Sequence, residues 1–464
     1  MQWNWFPIAD VNSNPLNPII NTRSFGEDPQ QVGDMVAAYI EGARESGMLT
    51  TAKHFPGHGD TATDSHTSVP VVNQDKAYFE NVSLPPFRAA IKAGVDAVMV
   101  AHILVPALDP DPNHVASISP AIVTGLLKQQ MGFTGLVVTD AEDMGGITRM
   151  FPEGGPTAAA KAAVKAVQAG DDMLLIPYDL DASYHGLLQA VRSGEIAESR
   201  IDESVLKILR AKASVGLNQA TLVELEAVPR LVAKPENLAT AQEIADHAAT
   251  LVRDNHRVLP LKATAKPVPK GTNPAPNPYQ PVAETHNRVV VLVFTDDSRS
   301  PSGRLLEQQV RLRIPDANVF YIDPRTAVGL IQPVLDAAQQ AQAVIAAIYV
   351  APVAGKVVRD RNGAVISAVA LPDTAATLLQ SVLRSAAGTT IVVAMGNPYI
   401  AASFPEIQTY LCTYSNAQVS EMSAVKAMFG EVPTPGHLPV TIPNFAGRGA
   451  GLGAPAPISS GGPQ

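Results

Sequence analysis

Cysteine is almost absent from this chain of 464 residues, and its one thiol, Cys412, rules out an internal disulfide. Between Leu411 and Thr413 it reads as a small core residue of a buried strand rather than a reactive thiol. Charge is sparse as well: Asp, Glu, Lys and Arg make up 17% of residues, and the excess of Asp and Glu (43) over Lys and Arg (34) gives a formal charge of −9. No block of Lys and Arg is present to neutralise a phosphate backbone, so no nucleic-acid partner is expected. Long apolar runs are missing too. The longest, Ala93 to Leu108, is interrupted by Asp96 and His102 and is too short for a bilayer, so no membrane span is expected. The opening MQWNWFPIADVN has neither a positive region nor an apolar signal core and reads as the interior of a domain; any export signal would lie upstream of Met1. Composition fixes neither cellular location nor oligomeric state.

The length exceeds what one hydrophobic core usually supports, which predicts two or three domains. In the first half, short apolar runs at Trp3 to Ala9, Met48 to Ala52, Ala97 to Ala101, Leu136 to Val138 and Met173 to Ile176 alternate with helix-like stretches. Those stretches are Gln30 to Ser46, Leu84 to Ala93, Ala121 to Gln130, Thr157 to Ala169 and Tyr184 to Arg192. Strand alternating with helix predicts a parallel sheet. Ionisable residues sit where the strands end: Asp10, Lys53 with His54, His102 and Asp140. A (β/α)8 barrel builds its active site there, and an open doubly wound sheet would do the same. Only five such runs precede the helix Arg200 to Leu217, whereas a barrel needs eight.

Four segments follow. Residues 1–217 form a (β/α) unit of about five strand-helix pairs, and 218–287 a helical connection ending in a Pro-rich linker too poor in bulky apolar residues to build a core. Residues 288–445, with VVVLVF, VFYI, AVIAAIYV and TIVVAM alternating with helix, form a smaller α/β domain, and 446–464 a disordered tail rich in Gly and Pro. There is no internal repeat.

The densest chemistry lies in AKHFPGHGDTATDSH, Ala52 to His66. His54 and His58 stand four apart, a spacing that suits a metal on a helix, but Pro56, Gly57 and Gly59 exclude a helix, so no metal is expected. A phosphate loop would need a Gly-Lys-Ser/Thr run opening a helix, which is not here, and no cofactor is expected. Asp64 and His66 are separated by one residue, so in an extended chain they share a face and the carboxylate can orient the imidazole for proton transfer; such pairs are also common on solvated loops. In GLVVTDAEDMGGI, an apolar strand delivers Asp140 to its end as a nucleophile or as a cap for the next helix. A carboxylate beside a proton-transfer group is what displacement with retention at an acetal carbon requires.

These residues resemble glycoside hydrolase family 3, and within it the β-N-acetylglucosaminidase branch. The resemblance is carried by PIADVNSNP, RSFGEDP, AKHFPGHGDTATDSH, VMVAHILVPALD, VVTDAEDM, AGDDMLLIP and RIDESVLKILRAKASVGL, and in the second half by GNPY and GHLPVTIP, in that order. It implies a TIM-like barrel followed by a smaller α/β sandwich domain, and a retaining mechanism acting on a small carbohydrate, a terminal β-N-acetylglucosaminide of cell-wall or chitin type. Matched to the motifs, Asp140 would be the nucleophile and His66, oriented by Asp64, the acid/base. Arg23, Lys53 and His54 would hold sugar hydroxyls, and His102 would face the pocket or serve as a structural strand-end histidine. The family's barrel begins roughly a hundred residues earlier, with three more strand-helix units. The runs counted here would then be its fourth to eighth, an N-terminally incomplete barrel. The alternatives are phosphorolysis, since a neutral imidazole repels phosphate less than a carboxylate would, a β-glucosidase-type activity, and an inactive sugar-binding fragment.

Overall fold

The structure is a computed structural model that describes residues 2–264, 289–356, 358 and 369–453. It divides into two compact units, Met1–Arg230 together with Pro352–Lys356, and Leu231–Ala351 together with Val357–Gln464.

The first unit carries strands β1 (Thr51–Phe55), β2 (Ala97–Val100), β3 (Leu136–Ala141) and β4 (Met173–Leu175), all parallel and hydrogen-bonded in chain order. A doubly wound sheet must reverse its strand order somewhere; this one does not, which makes it an arc of a TIM-type barrel. The sheet is not closed among the described residues. Residues of β2 are buried along its whole length, as a strand covered on both faces must be. Helices α1 (Pro29–Glu45) and α2 (Pro85–Lys92) pack together. In α1, Val32, Val36, Ile40 and Ala43 fall on one buried stripe, with Pro29 at the first helical position and Asp28 capping Gln31 N–H at 2.9 Å. Helices α3 (Gly155–Ala169) and α4 (Leu180–Arg192) pack on each other, and α5 (Glu198–Ser214) is tied to β4 through buried Asp172, whose carboxylate receives Ser204 Oγ at 2.6 Å and Lys207 Nζ at 3.2 Å.

Two expected strands differ. Met48 to Ala52 is shifted onward, so that Lys53 and His54 lie within β1 rather than after it. The run Trp3 to Ala9 forms no continuous strand: it touches the sheet by parallel bridges from Trp3 to Leu49 and Ile8 to Lys53, and Pro7 between them has no N–H to donate.

The second unit starts at Leu231, and part of the expected connection 218–287 belongs to it: α6 (Pro235–Ala248) packs on its last helix and β5 (Thr250–Asp254) is an antiparallel edge strand. The Pro-rich linker proper, from 265 on, lies outside the described residues, as does the tail from 454. Its sheet runs β5-β10-β9-β8-β6-β7, with β6 (Val289–Phe294), β7 (Asn318–Ile322), β8 (Ala343–Ile348), β9 (Thr390–Ala394) and β10 (Thr409–Cys412) parallel. Alternate residues of β6 feed two cores: Val290, Leu292 and Phe294 meet α8 (Ala327–Gln340) and α9 (Asp373–Ala386), while Val289, Val291 and Val293 meet α7 (Arg304–Arg313) and α10 (Gln418–Met428). Cys412 is fully buried in β10.

Candidate active site

The strand ends of the first unit open onto a cavity of about 480 Å³ whose lining includes Arg23, Lys53, His54, His66 and Asp140, with Trp5, Met99, Leu175 and Ile176 as apolar wall. That volume lies within the range of small-molecule sites. Asp140 ends β3. Burial pushes its carboxyl up, but the His54 and His102 rings, the Ala141 N–H at 2.8 Å and the Lys53 ammonium outweigh it, so the group is held below the usual carboxylate range. Lys53 is pushed down, first by burial and then by Arg23, against the pull of Asp140 and Asp10.

His54 is fixed from behind. Its Nδ1 meets Asp10 Oδ2 at 2.7 Å, and Asp10 also accepts His54 N–H at 3.1 Å and His58 N–H at 2.6 Å. Burial pushes the Asp10 carboxyl up and the His54 imidazole far down, each toward its neutral form. Arg23 comes from a short turn, Asn21–Arg23, held by asparagines: Asn12 Oδ1 accepts Asn21 N–H at 2.9 Å, and Asn17 Oδ1 accepts Ile19 and Ile20 N–H at 3.0 and 2.8 Å. Arg23 Nη1 returns to Ile19 O at 3.0 Å.

The loop after β1 bears the Asp64–His66 pair. Asp64 Oδ1 accepts both His66 N–H and Nδ1 at 2.8 Å, while Oδ2 accepts Gly355 N–H at 2.9 Å from the Pro352–Lys356 segment of the same unit. The bond to Asp64 raises the imidazole above its ordinary value, and burial only partly offsets it. Burial would raise Asp64, but the His66 and Gly355 hydrogen bonds bring it below its ordinary value. Only 35% of the His66 side chain is exposed, against 9% for Asp64, so the carboxylate is shielded and the ring faces outward. His58 is fully engaged, with Thr61 Oγ1 at 2.8 Å and Ser65 Oγ at 2.9 Å, and it anchors the loop. Among the described residues, no group of three or more His, Cys, Asp or Glu is arranged to hold a metal ion.

Of the seven residues singled out in the sequence, Arg23, Lys53, His54, His66 and Asp140 come together on the cavity wall and Asp64 stands behind His66. His102 is fully buried, with Nδ1 on Ser117 Oγ at 2.7 Å and Nε2 on Ala141 O at 3.1 Å; its ring acts on Asp140 electrostatically without lining the cavity. Sequence reasoning missed the support. Gly145 and Gly146 donate to His66 O at 3.1 Å and Ser65 O at 2.8 Å, and a Cβ would clash with the Thr67 backbone at Gly145 and with His102 at Gly146. The paired glycines after Asp-Met were the available signal. Gly355, 291 residues from Asp64, left none.

Known proteins bear directly on this arrangement. The model of the glycosyl hydrolase family 3 N terminal domain matches residues 1–211, and that of the family's C-terminal domain matches residues 249–451. The chain belongs to glycoside hydrolase family 3. A beta-N-acetylglucosaminidase/beta-glucosidase of Cellulomonas fimi is 29% identical over 95% of this family 3 chain and 74% of its own length. Beta-hexosaminidase A of Pseudoalteromonas piscicida is 33% identical over 57% of this chain and 46% of its own. The chain thus spans three quarters of the first relative but only about half of the second. A solved family 3 β-N-acetylglucosaminidase from Paenibacillus superposes with a TM-score of 0.76 at 26% identity, covering 95% of this chain and 76% of that one. Fold and family agree with the resemblance read from the motifs, including the TIM-like unit followed by an α/β domain.

Proposed function

We propose that this chain is a retaining glycosidase that removes terminal β-linked N-acetylglucosamine. The observation that carries the reading is the oriented dyad: with Nδ1 held by Asp64, His66 keeps Nε2 for the leaving group on the same cavity that Asp140 lines. Asp140 attacks the anomeric carbon as the glycosidic bond breaks, and the departing oxygen takes the proton from His66 Nε2. A covalent glycosyl ester on Asp140 results. Water then attacks the anomeric carbon, gives its proton to the now neutral His66, and frees the Asp140 carboxylate. The His54 and His102 rings, the Ala141 N–H and Lys53 keep Asp140 ionised, and Lys53, Arg23 and His54 line the cavity where sugar hydroxyls would sit. The N-acetylglucosamine preference is supported by the Cellulomonas fimi relative, whose name pairs beta-N-acetylglucosaminidase with beta-glucosidase.

The test is release of nitrophenol from nitrophenyl β-N-acetylglucosaminide by the full chain beside its Asp140→Asn variant. Turnover is expected to fall roughly 10⁴-fold or more in the variant, with the melting temperature preserved. Unchanged turnover would remove Asp140 from the nucleophile role. Assaying the sugar product in abundant phosphate separates hydrolysis from phosphorolysis, because only the latter yields a sugar 1-phosphate.

A further inference from the structure

Two residues beyond Asp140, Glu142 follows the end of β3 and lines a second cavity, of about 190 Å³, that shares no lining residue with the first. The residue is 4% exposed, and its carboxylate has no hydrogen-bond partner among the described residues. The walls are apolar: Ile147, Phe151 and, from α3, Ala158 and Ala162, with Tyr178 exposed at the edge. A buried acid without a partner is costly, because nothing replaces the water it has lost. Burial alone pushes its carboxyl up to about 8. Asp171, just before β4, is buried with both carboxylate oxygens unpartnered and is acted on by Lys128 and Arg200 as well as by Glu142, but Asp171, Lys128 and Arg200 do not line this cavity; Asp143 beside Glu142 is exposed, and the lining residues of α3 carry no charge.

Glu142 is thus the one ionisable carboxyl in the cavity lining, and among the described residues no cationic side chain lines the cavity to pair with it. We propose that this cavity binds a small organic ammonium, an apolar body of roughly six to eight carbons bearing one primary amine, the size of ligand that apolar cavities of this volume hold. The ammonium pairs with Glu142, with the Phe151 and Tyr178 rings in the same lining, and the body fills the alanine-lined floor. No covalent step is involved. At neutral pH most Glu142 is protonated, so binding the ammonium as an ion pair releases one proton and tightens as pH rises.

The probe is cyclohexylamine, titrated calorimetrically into the full chain at pH 7 and pH 9, with cyclohexanol as neutral isostere and with Glu142→Gln and Glu142→Leu variants. Expected are saturable binding of the amine roughly fivefold or more tighter at pH 9, proton release seen in buffers of different ionisation enthalpy, and at least a tenfold loss in both variants. Both variants relieve a buried unpaired acid, so their melting temperatures should hold or rise, which keeps a loss of binding interpretable. Cyclohexanol binding as tightly as the amine, undiminished binding in Glu142→Leu, or no saturable binding at millimolar amine would each overturn the proposal. None of these readouts depends on glycoside turnover, so the two readings fail separately.

Discussion

Asp64 takes three N–H groups on two oxygens, and that division of labour predicts the pH behaviour of the site. In the proposed mechanism His66 is protonated to act as an acid, so kcat/KM should fall as pH rises through its pKa, which the Asp64 bond holds above the ordinary imidazole value. Asp140 must be ionised, so the acid limb lies below the usual carboxylate range. Asp64→Asn keeps an oxygen for the backbone N–H of His66 but loses the negative charge. The alkaline limb should move down in pH and kcat should drop by about 10²–10⁴-fold, with the acid limb in place. An alkaline limb that stays put would mean that His66 does not supply the proton. Asp10 works similarly one layer deeper: its three donors all come from His54 and His58, so it positions the cavity wall that they line. Its place after an apolar run was legible in the sequence, but its partners were not, because the loop that returns His58 N–H to it is irregular.

At the level of elements, the strand-and-helix alternation was legible because buried parallel strands read as short continuous apolar runs. The register of β1 was not, since Lys53 and His54 look like loop residues until the arginine turn and Asp10 are seen to receive them. The segment after β3 was also opaque: Asp140 through Ile147 reads as a strand end and a helix start, whereas its glycines are what let the dyad loop lie against it. Gly146 makes the point testable. A Cβ there would stand 2.8 Å from His102 O, 2.9 Å from His102 Cβ and 3.1 Å from Ser65 O, all parts that cannot swing aside as a side-chain tip would. Gly146→Ala should therefore displace the Ser65–His66 backbone and lower kcat by roughly tenfold or more, in keeping with the cost of an ångström-scale misplacement. Gly42→Ala is the control, placed on the exposed face of α1 with nothing within 4 Å of the new Cβ. It should stabilise the protein by about 0.5–1 kcal/mol and leave kcat alone. Equal kinetics in the two variants would show that the dyad loop tolerates the shift.

On the scale of the whole molecule, the two units solve the same α/β problem differently. The first keeps its strands in chain order and presents ionisable residues at their ends. The second has β7-β6-β8-β9-β10 in a doubly wound order that reverses beside β6, the place where such sheets commonly hold an anionic ligand against a helix N-terminus. Here a side chain already occupies that position: Glu421, 3% exposed, accepts Gly303 N–H at 2.8 Å and Leu306 N–H at 2.7 Å at the start of α7, and Tyr349 OH at 2.9 Å. The sequence showed the strands of this unit clearly but gave no hint of this closure, since Glu421 is 118 residues from Gly303 and sits in an ordinary-looking helix. Removing the carboxylate leaves two backbone donors and a hydroxyl buried without an acceptor. Glu421→Ala should then cost about 3–5 kcal/mol and lower the melting of the second unit by about 10 °C, with Glu421→Gln in between because one amide oxygen replaces two. The pH limbs set by His66 and Asp140 belong to the first unit and should not move. A calorimetric trace unchanged in Glu421→Ala would mean that water or another group satisfies those donors, and that the helix start is not closed by this residue.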